Sequence, residues 1–213
     1  MQISNIQNII YTNNAYKQSF AADLKNRVKI GKRTDFDTFE KTDASIVQFN
    51  RACNHDETAL KDASSAWDEM SDKSHTFAKV IYEDFKQYDS LYKEGEAQFI
   101  GLTLQNENFE EMQASQILGL AEVAHFDELD IVPFVKDGHF LELLQTIPIS
   151  KHGTSNREHK GIGQNLLDYV IQEYSSKPLL VVPTESAAPF YEANGFETIQ
   201  GYGMMMYTGK NNI

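Results

Sequence analysis

Hydrophobic residues recur at helical spacing in three stretches of the first half of the chain, and each stretch predicts an amphipathic helix. The first helix is expected to end near Gly31, and the other two to begin at Asn54 or Asp56 and at Ser74, which are residue types that cap helices. The apolar positions are Tyr16, Phe20, Leu24 and Val28 in the first, Leu60, Ala63, Trp67 and Met70 in the second, and Phe77, Val80, Ile81, Phe85 and Tyr88 in the third.

Extended stretches predict the strands of a sheet. Residues 44–49 form a first candidate, and after Gly95 three longer candidates follow at 97–104, 116–126 and 139–149. Because these three are long and follow one another closely, an antiparallel meander is the economical arrangement.

The C-terminal part predicts a different kind of strand. Pro178 and Pro183 enclose a fully apolar run, which is typical of a central strand covered on both faces. A short helix over 187–193, a turn at Asn194-Gly195 and a last strand over 196–207 complete the prediction. The fold class is therefore mixed α/β, with a mostly antiparallel central sheet flanked by helices.

Two closely spaced glycines, Gly161 and Gly163, open a predicted helix that we expect to end at 175–178. Its apolar positions at helical spacing are Ile162, Leu166, Leu167, Val170, Ile171 and Tyr174. Glycines let backbone N–H groups turn toward an anion, and the first turn of a helix adds unpaired N–H groups there. Lys151, Arg157 and Lys160 concentrate basic charge just before this turn. The sequence predicts a phosphate-binding site, although a charged loop that is merely well solvated remains an alternative.

Pro148 precedes this turn, near the end of a predicted strand. Proline cannot donate a ladder hydrogen bond, so we expect strand pairing to fail there and to leave backbone groups that can hold an amide-bearing ligand. An edge proline without any ligand is an equal alternative.

Composition and charge restrict the function. The chain has 213 residues and a net charge of -12; residues 1–43 carry +2, so the remainder carries -14. Such acidity argues against general nucleic-acid binding and favours cationic partners. The single cysteine, Cys53, excludes an intramolecular disulfide. Neither a signal peptide nor an apolar membrane segment is predicted, which favours a cytoplasmic protein.

Several common sites do not fit the motifs. A dinucleotide-binding turn would have a third glycine where Leu166 stands, and the chain has no Gly-Lys-Ser/Thr nucleotide loop and no Gly-x-Ser-x-Gly nucleophile turn. His152 and His159 lack a partnering carboxylate pattern, so no metal site is expected.

The order strand, glycine turn, helix and apolar strand is followed by the segment 187–196, which reads Ala-Ala-Pro-Phe-Tyr-Glu-Ala-Asn-Gly-Phe. In this order the chain resembles the GNAT superfamily of acetyl-CoA-dependent N-acetyltransferases. The resemblance is close over 139–207 and follows element order alone from residue 44. It implies a GNAT-like domain over 44–213 with strands splayed around the CoA site. Residues 1–43, the helical extension that the periodicity predicts, lie outside the resemblance. That extension would dock on the body or on a second copy, giving a homodimer.

The resemblance also implies site residues. Tyr191 matches the family tyrosine that protonates the departing CoA thiolate, and the pantetheine arm would lie along Ile147 and Ile149. The remaining cofactor-binding positions are Arg157, His159, Lys160, Gly161, Ile162, Gly163, Gln164 and Asn194.

Some members of the family use a carboxylate on the strand that leads to the phosphate loop as general base, and Glu142 is the residue that the resemblance implies for this role. Strand alternation groups Glu142 with Phe140, Leu144 and Thr146, an apolar setting that would raise its pKa on burial. Glu122 is the second candidate, and water a third. The predicted reaction is direct attack of a primary amine on acetyl-CoA, without a metal, in a ternary complex. Because Glu158 stands where the family usually has Arg or Gln, the alternative is a non-catalytic GNAT-like partner-binding or regulatory protein.

Overall fold

The computed structural model of the chain describes residues 27–33, 39–71, 76–87, 97–104, 113–127, 132, 134–148 and 159–209. Nine strands are described: β1 (Arg27–Arg33), β2 (Phe39–Phe49), β3 (Ala97–Leu104), β4 (Ile117–Phe126), β5 (Gly138–Thr146), β6 (His159–Lys160), β7 (Leu179–Val181), β8 (Phe196–Ile199) and β9 (Met204–Tyr207). The described helices are α1 (Asn54–Met70), α2 (Phe77–Lys86), α3 (Ile162–Tyr174) and α4 (Ala188–Glu192), with a 3₁₀ turn at Ala114–Gln116.

The strands form one sheet in the order β6-β1-β2-β3-β4-β5-β7-β9-β8. All described pairings are antiparallel except that of β5 with β7, which is parallel and is joined through α3. The predicted mixed fold with a mostly antiparallel sheet is confirmed, and so is the meander, which is β3-β4-β5.

Helices cover both faces of the sheet. On one face, Leu60 and Trp67 of α1 and Ile81 of α2 pack with Phe99 in a buried cluster. On the other, Leu166 and Val170 of α3 join a second buried cluster with strand residues. These apolar positions are the helical stripes that the periodicity predicts for the three helices. Within the described ranges, no helix is long and apolar enough to span a membrane.

The N-terminal prediction is wrong where it can be compared with the structure. Arg27–Arg33 form β1, so no helix runs to Gly31. Val28 and Ile30 alternate with charged residues. This two-residue period, together with the pairing of all of β1 with residues 39–45 of β2, outweighs the four-residue spacing. The strand β2 also begins at Phe39 and crosses the expected boundary at residue 43. Tyr16, Phe20 and Leu24 lie outside the described residues.

The last predicted strand is two strands. β8 and β9 pair as a hairpin, with Phe196 opposite Tyr207 and Ile199 opposite Met204. Gly201 and Gly203 in the connecting turn have φ of 84° and 65°, a region that favours glycine. These two glycines were the available signal for a turn.

Candidate functional site

A cavity lies where β5 and β7 separate. Their parallel pairing covers His139 to Leu141 on β5 and ends at Leu141 opposite Val181, whereas β5 continues to Thr146. The cavity has a volume of about 550 Å³, a size usual for small-molecule sites. Its described lining comprises Phe77, Ala124, Phe126, Phe140, Glu142, Leu143, Leu144, Val181, Val182, Pro183, Thr184, Ala187, Tyr191 and Met204. Both predicted catalytic residues, Glu142 and Tyr191, therefore line one cavity.

The strands β5 and β7 separate at an earlier residue than the position of Pro148 predicts. Described pairing with β7 ends at Leu141, while pairing with β4 continues until the Ile147 N–H donates to the Leu118 carbonyl at 2.8 Å. The strand β7 ends two residues before Pro183, which keeps it short. Beyond Leu141, β5 thus presents to β7 an edge whose backbone groups can receive an extended ligand.

Tyr191 is on the short helix α4 and is 6% exposed. Its ring packs edge-on against Phe190 and Phe196, with centroids 5.3 and 5.4 Å away. Burial raises the pKa of Tyr191 to about 12. The hydroxyl at the cavity wall is therefore a neutral hydrogen-bond donor throughout the physiological pH range.

Glu142 lies at a β-bulge, which interrupts the regular alternation of side chains expected for this strand. Glu122 on β4 is opposite Leu143, and the next residue, Val123, is opposite Leu141, so Glu142 is the extra residue of β5. In such a bulge two residues oppose one on the partner strand. Leu144 packs with the α3-side cluster and Leu143 with the opposite one, so the expected grouping of Glu142 with Leu144 and Thr146 is wrong. The bulge instead aligns Glu142 and Leu143 with Glu122.

The second candidate base, Glu122, is 2% exposed and does not belong to the described cavity lining. Burial raises its pKa to about 8, and the charges of Asp84 and Glu142 add to this effect while that of Arg51 opposes it. Of the two candidate bases, Glu142 lines the cavity and can reach a ligand. Glu122 is the one whose pKa is strongly raised.

The predicted phosphate-binding turn forms the start of α3. Gly161 has φ of 85°, which favours glycine, and its carbonyl accepts the first helical hydrogen bond from the Asn165 N–H at 2.9 Å. The N–H groups of Ile162, Gly163 and Gln164 precede that bond, so the helix itself leaves them free for an anion.

Close packing places this helix start at the open end of β5. An added Cβ on Gly163 would lie 3.5 Å from Thr146 Cγ2 and 3.9 Å from Phe190 Cζ, and one on Gly119 would lie 2.8 Å from Ile162 Cγ2. The small residue at 119 lets α3 approach the sheet, and Gly163 adjoins the helix that carries Tyr191. The predicted phosphate-binding turn and the cavity are therefore neighbours.

Two of the predicted cofactor residues bind each other. Gln164 Nε2 donates to Asn194 Oδ1 at 2.6 Å, and Asn194 Nδ2 donates to the Phe190 carbonyl at 2.8 Å. Asn194 is 4% exposed. These two hydrogen bonds hold the start of α3 against the end of α4. In the structure, Asn194 therefore positions the two helices relative to each other.

The other cofactor positions differ in exposure. His159 is buried in β6 opposite Lys32, whereas Lys160, opposite Gly31, is exposed. Ile147 is half-buried between the two clusters on either side of the sheet. Ile149 and Arg157 lie outside the described residues. Among the described residues of this group, Lys160 has an exposed charge beside the glycine turn.

Several residues that line the cavity belong to none of the functional motifs found in the sequence. Phe77 is the first residue of α2, and Val182 and Thr184 follow β7. Phe77 and Val182 are 45% and 53% exposed, which is unusual for large apolar side chains. In the sequence, Pro183 at the end of the apolar run could have indicated that the residues beside it leave the sheet.

A separate cluster lies where β4 ends and β5 begins. His125 Nε2 is 3.0 Å from Asp127 Oδ1 and 3.5 Å from Asp137 Oδ1, and Lys177 Nζ is 2.8 Å from Asp137 Oδ2. The hydrogen bond from Lys177 lowers the pKa of Asp137. Lys177 and Asp137 thus form an ion pair at the surface, and the His125 ring contacts both Asp127 and Asp137.

Replacing Gly161 by alanine is expected to lower the free energy of unfolding by about 1 to 2 kcal/mol, because φ is 85° there. The new Cβ would also lie 3.2 Å from Asn165 Nδ2. Gly201→Ala is the matched control, with φ of 84° and open space around the added Cβ. Urea unfolding should show similar losses, whereas titration calorimetry should show weaker CoA binding for Gly161→Ala alone. Equal CoA affinity in both variants would contradict the anion-binding role of this turn.

Neither a protein-family model nor a curated protein sequence matches this chain. Solved structures do. A putative acetyltransferase of the GNAT family from Desulfovibrio desulfuricans is 14% identical with a TM-score of 0.45, covering 77% of this chain and 96% of its own. The Bacillus subtilis N-acetyltransferase YlbP in complex with coenzyme A is 11% identical with a TM-score of 0.40, over 70% and 89%. The KacTA-DNA complex contains a chain that is 17% identical with a TM-score of 0.46, over 77% and 92%.

The predicted likeness to GNAT acetyltransferases is thus found among solved structures. The identities and TM-scores are low, so the likeness concerns the arrangement of helices and strands. The acceptor, the mechanism and the site residues depend on the geometry of this chain.

Proposed function

We propose that the chain is an acetyl-CoA-dependent N-acetyltransferase whose acceptor is a primary amine. The observation that carries the proposal is the single cavity between β5 and β7 that Glu142 and Tyr191 both line. The start of α3 supports it, because its free N–H groups suit the pyrophosphate of CoA. The open edge of β5 suits the amides of pantetheine.

In the proposed reaction the amine nitrogen attacks the thioester carbonyl, a C–N bond forms and the C–S bond breaks. An ammonium acceptor must lose one proton before attack and the tetrahedral adduct another from nitrogen, and Glu142 or water receives them. Tyr191 donates a hydrogen bond to the thiolate as negative charge develops on sulfur. With a pKa of about 12, well above that of a thiol, Tyr191 keeps its proton and stabilises the departing thiolate as a hydrogen-bond donor.

Two parts of the cavity differ in chemistry. Phe77, Val182 and Leu144 offer apolar surface, whereas Glu142 offers a charge that suits an ammonium group. An amine attached to an apolar body fits this lining better than a polycation does. The net charge of -14 over residues 44–213 supports a cationic acceptor in general terms.

The test is release of CoA thiol from acetyl-CoA, followed with a thiol reagent, across a panel of primary amines. The panel should contain aliphatic and aromatic amines, amino-acid esters, polyamines and lysine peptides. Amine-dependent release, with an N-acetylated product of the added amine identified by mass spectrometry, supports the proposal. Binding of CoA without turnover of any amine would favour the partner-binding or regulatory alternative.

A further inference from the structure

Glu122 is a buried carboxyl group that the proposed chemistry leaves unused. The residue is 2% exposed, and its Oε2 atom finds no hydrogen-bond partner in the part of the chain that the structure describes. Burying a carboxylate without a partner is costly, so a buried acid of this kind calls for a reason.

The bulge in β5 supplies a geometric connection to the cavity. Glu142 and Leu143 together oppose Glu122, and opposed residues on neighbouring antiparallel strands have Cβ atoms roughly 5 Å apart. Glu142 lines the cavity and Glu122 does not. Glu122 therefore lies one strand behind the charged part of the cavity wall.

Other charges near Glu122 come from two further segments. Arg51, after β2, places its guanidinium carbon 4.8 Å from the centre of the Phe99 ring, and Phe99 is opposite Glu122 on β3. Arg51 Nη2 also donates to the Asp84 carbonyl of α2 at 3.2 Å. Asp84 and Glu142 raise the pKa of Glu122 beyond the effect of burial, and Arg51 lowers it. At neutral pH Glu122 is therefore mostly protonated.

We propose that Glu122 and Glu142 form a carboxylate pair in which the buried Glu122 acts through Glu142 on the ammonium form of the acceptor amine. This inference rests on the proposed function and adds a positioning residue to it. At pH 7 Glu122 is mostly neutral, and above pH 8 it carries a negative charge behind Glu142. The attraction for a cationic acceptor therefore grows as pH rises through this range.

The kinetic test compares wild type with Glu122→Gln, which keeps the shape of a neutral Glu122 and cannot ionise. We divide the kcat/KM of the wild type by that of Glu122→Gln for the same amine. This ratio cancels the titration of the amine itself. We expect this ratio to be smallest at pH 6.5 and to rise roughly five- to tenfold by pH 9.5, mainly through KM. Glu142→Gln should lose activity at every pH.

A second measurement needs no substrate. The folded state keeps on Glu122 a proton that the unfolded chain releases near pH 4.5, so wild-type stability should fall between pH 4.5 and 8. Over this interval the wild-type Tm should fall roughly 8 to 16 °C further than that of Glu122→Gln. Glu197→Gln, on an exposed strand position, should follow wild type.

The outcomes separate the two proposals. Superimposable stability profiles for wild type and Glu122→Gln would show that Glu122 has no raised pKa and overturn the carboxylate pair. If the profiles differ but the kcat/KM ratio is independent of pH, the pair does not act on the acceptor and the inference is wrong. Absence of turnover in the wild type would overturn the proposed function and the acceptor role together, while the stability profiles would still report the ionisation of Glu122.

Discussion

Tyr191→Phe is expected to lower kcat by about 100-fold while CoA affinity stays within about twofold of wild type. The substitution removes the hydroxyl that would stabilise the departing thiolate and keeps the ring contacts with Phe190 and Phe196. Steady-state kinetics with the best amine of the panel gives kcat, and calorimetry gives CoA affinity. Because the pKa of Tyr191 is raised to about 12, the wild-type rate should show no loss from ionisation of this group below pH 10.

Tyr174→Phe provides the control for loss of a buried phenol. Burial likewise raises the pKa of Tyr174, and its ring packs edge-on against His139 outside the described cavity lining. Its kcat should stay close to the wild-type value. Similar losses in both variants would show that a general change in packing, rather than the Tyr191 hydroxyl, limits turnover.

Local patterns in the sequence predicted most of the described helices and the central strands. Trp67 and Ile81 lie on stripes that the helical period identifies, and both are buried in the structure. The apolar run after Pro178 is buried on all three strand residues because β5 and β9 flank it. Tyr191 and Glu142 line one cavity, and their catalytic roles stay predictions.

The remaining features depend on contacts between distant residues. The bulge at Glu142 arises from the pairing of β5 with β4, and nothing in the local sequence distinguishes it from regular alternation. Glu122 is likewise buried in a strand between β3 and β5, and this placement depends on pairing with residues distant in sequence. Arg27–Arg33 also form a strand because they pair with β2, although the spacing of apolar residues predicted a helix there. Sequence periodicity identifies apolar positions but does not determine which partner strand is available.

Saturating CoA is expected to raise the Tm of the protein by roughly 5 to 10 °C. A ligand that binds only the folded state adds about 2.7 kcal/mol at 100 times its Kd, and a chain of 213 residues gains about 2 to 4 °C for each kcal/mol. Dethio-CoA should stabilise about as well, because the turn at Gly161 and the edge of β5 would bind the pyrophosphate and the amides. NAD, which has a pyrophosphate and no pantetheine, should stabilise much less.

The decisive measurement for the proposed CoA site is the Tm in a CoA titration from micromolar to millimolar concentration. We expect a shift that rises with CoA concentration, that dethio-CoA reproduces and that Gly161→Ala weakens relative to Gly201→Ala. An unchanged Tm at millimolar CoA would show that the turn that begins α3 and the cavity beside it do not form a CoA site.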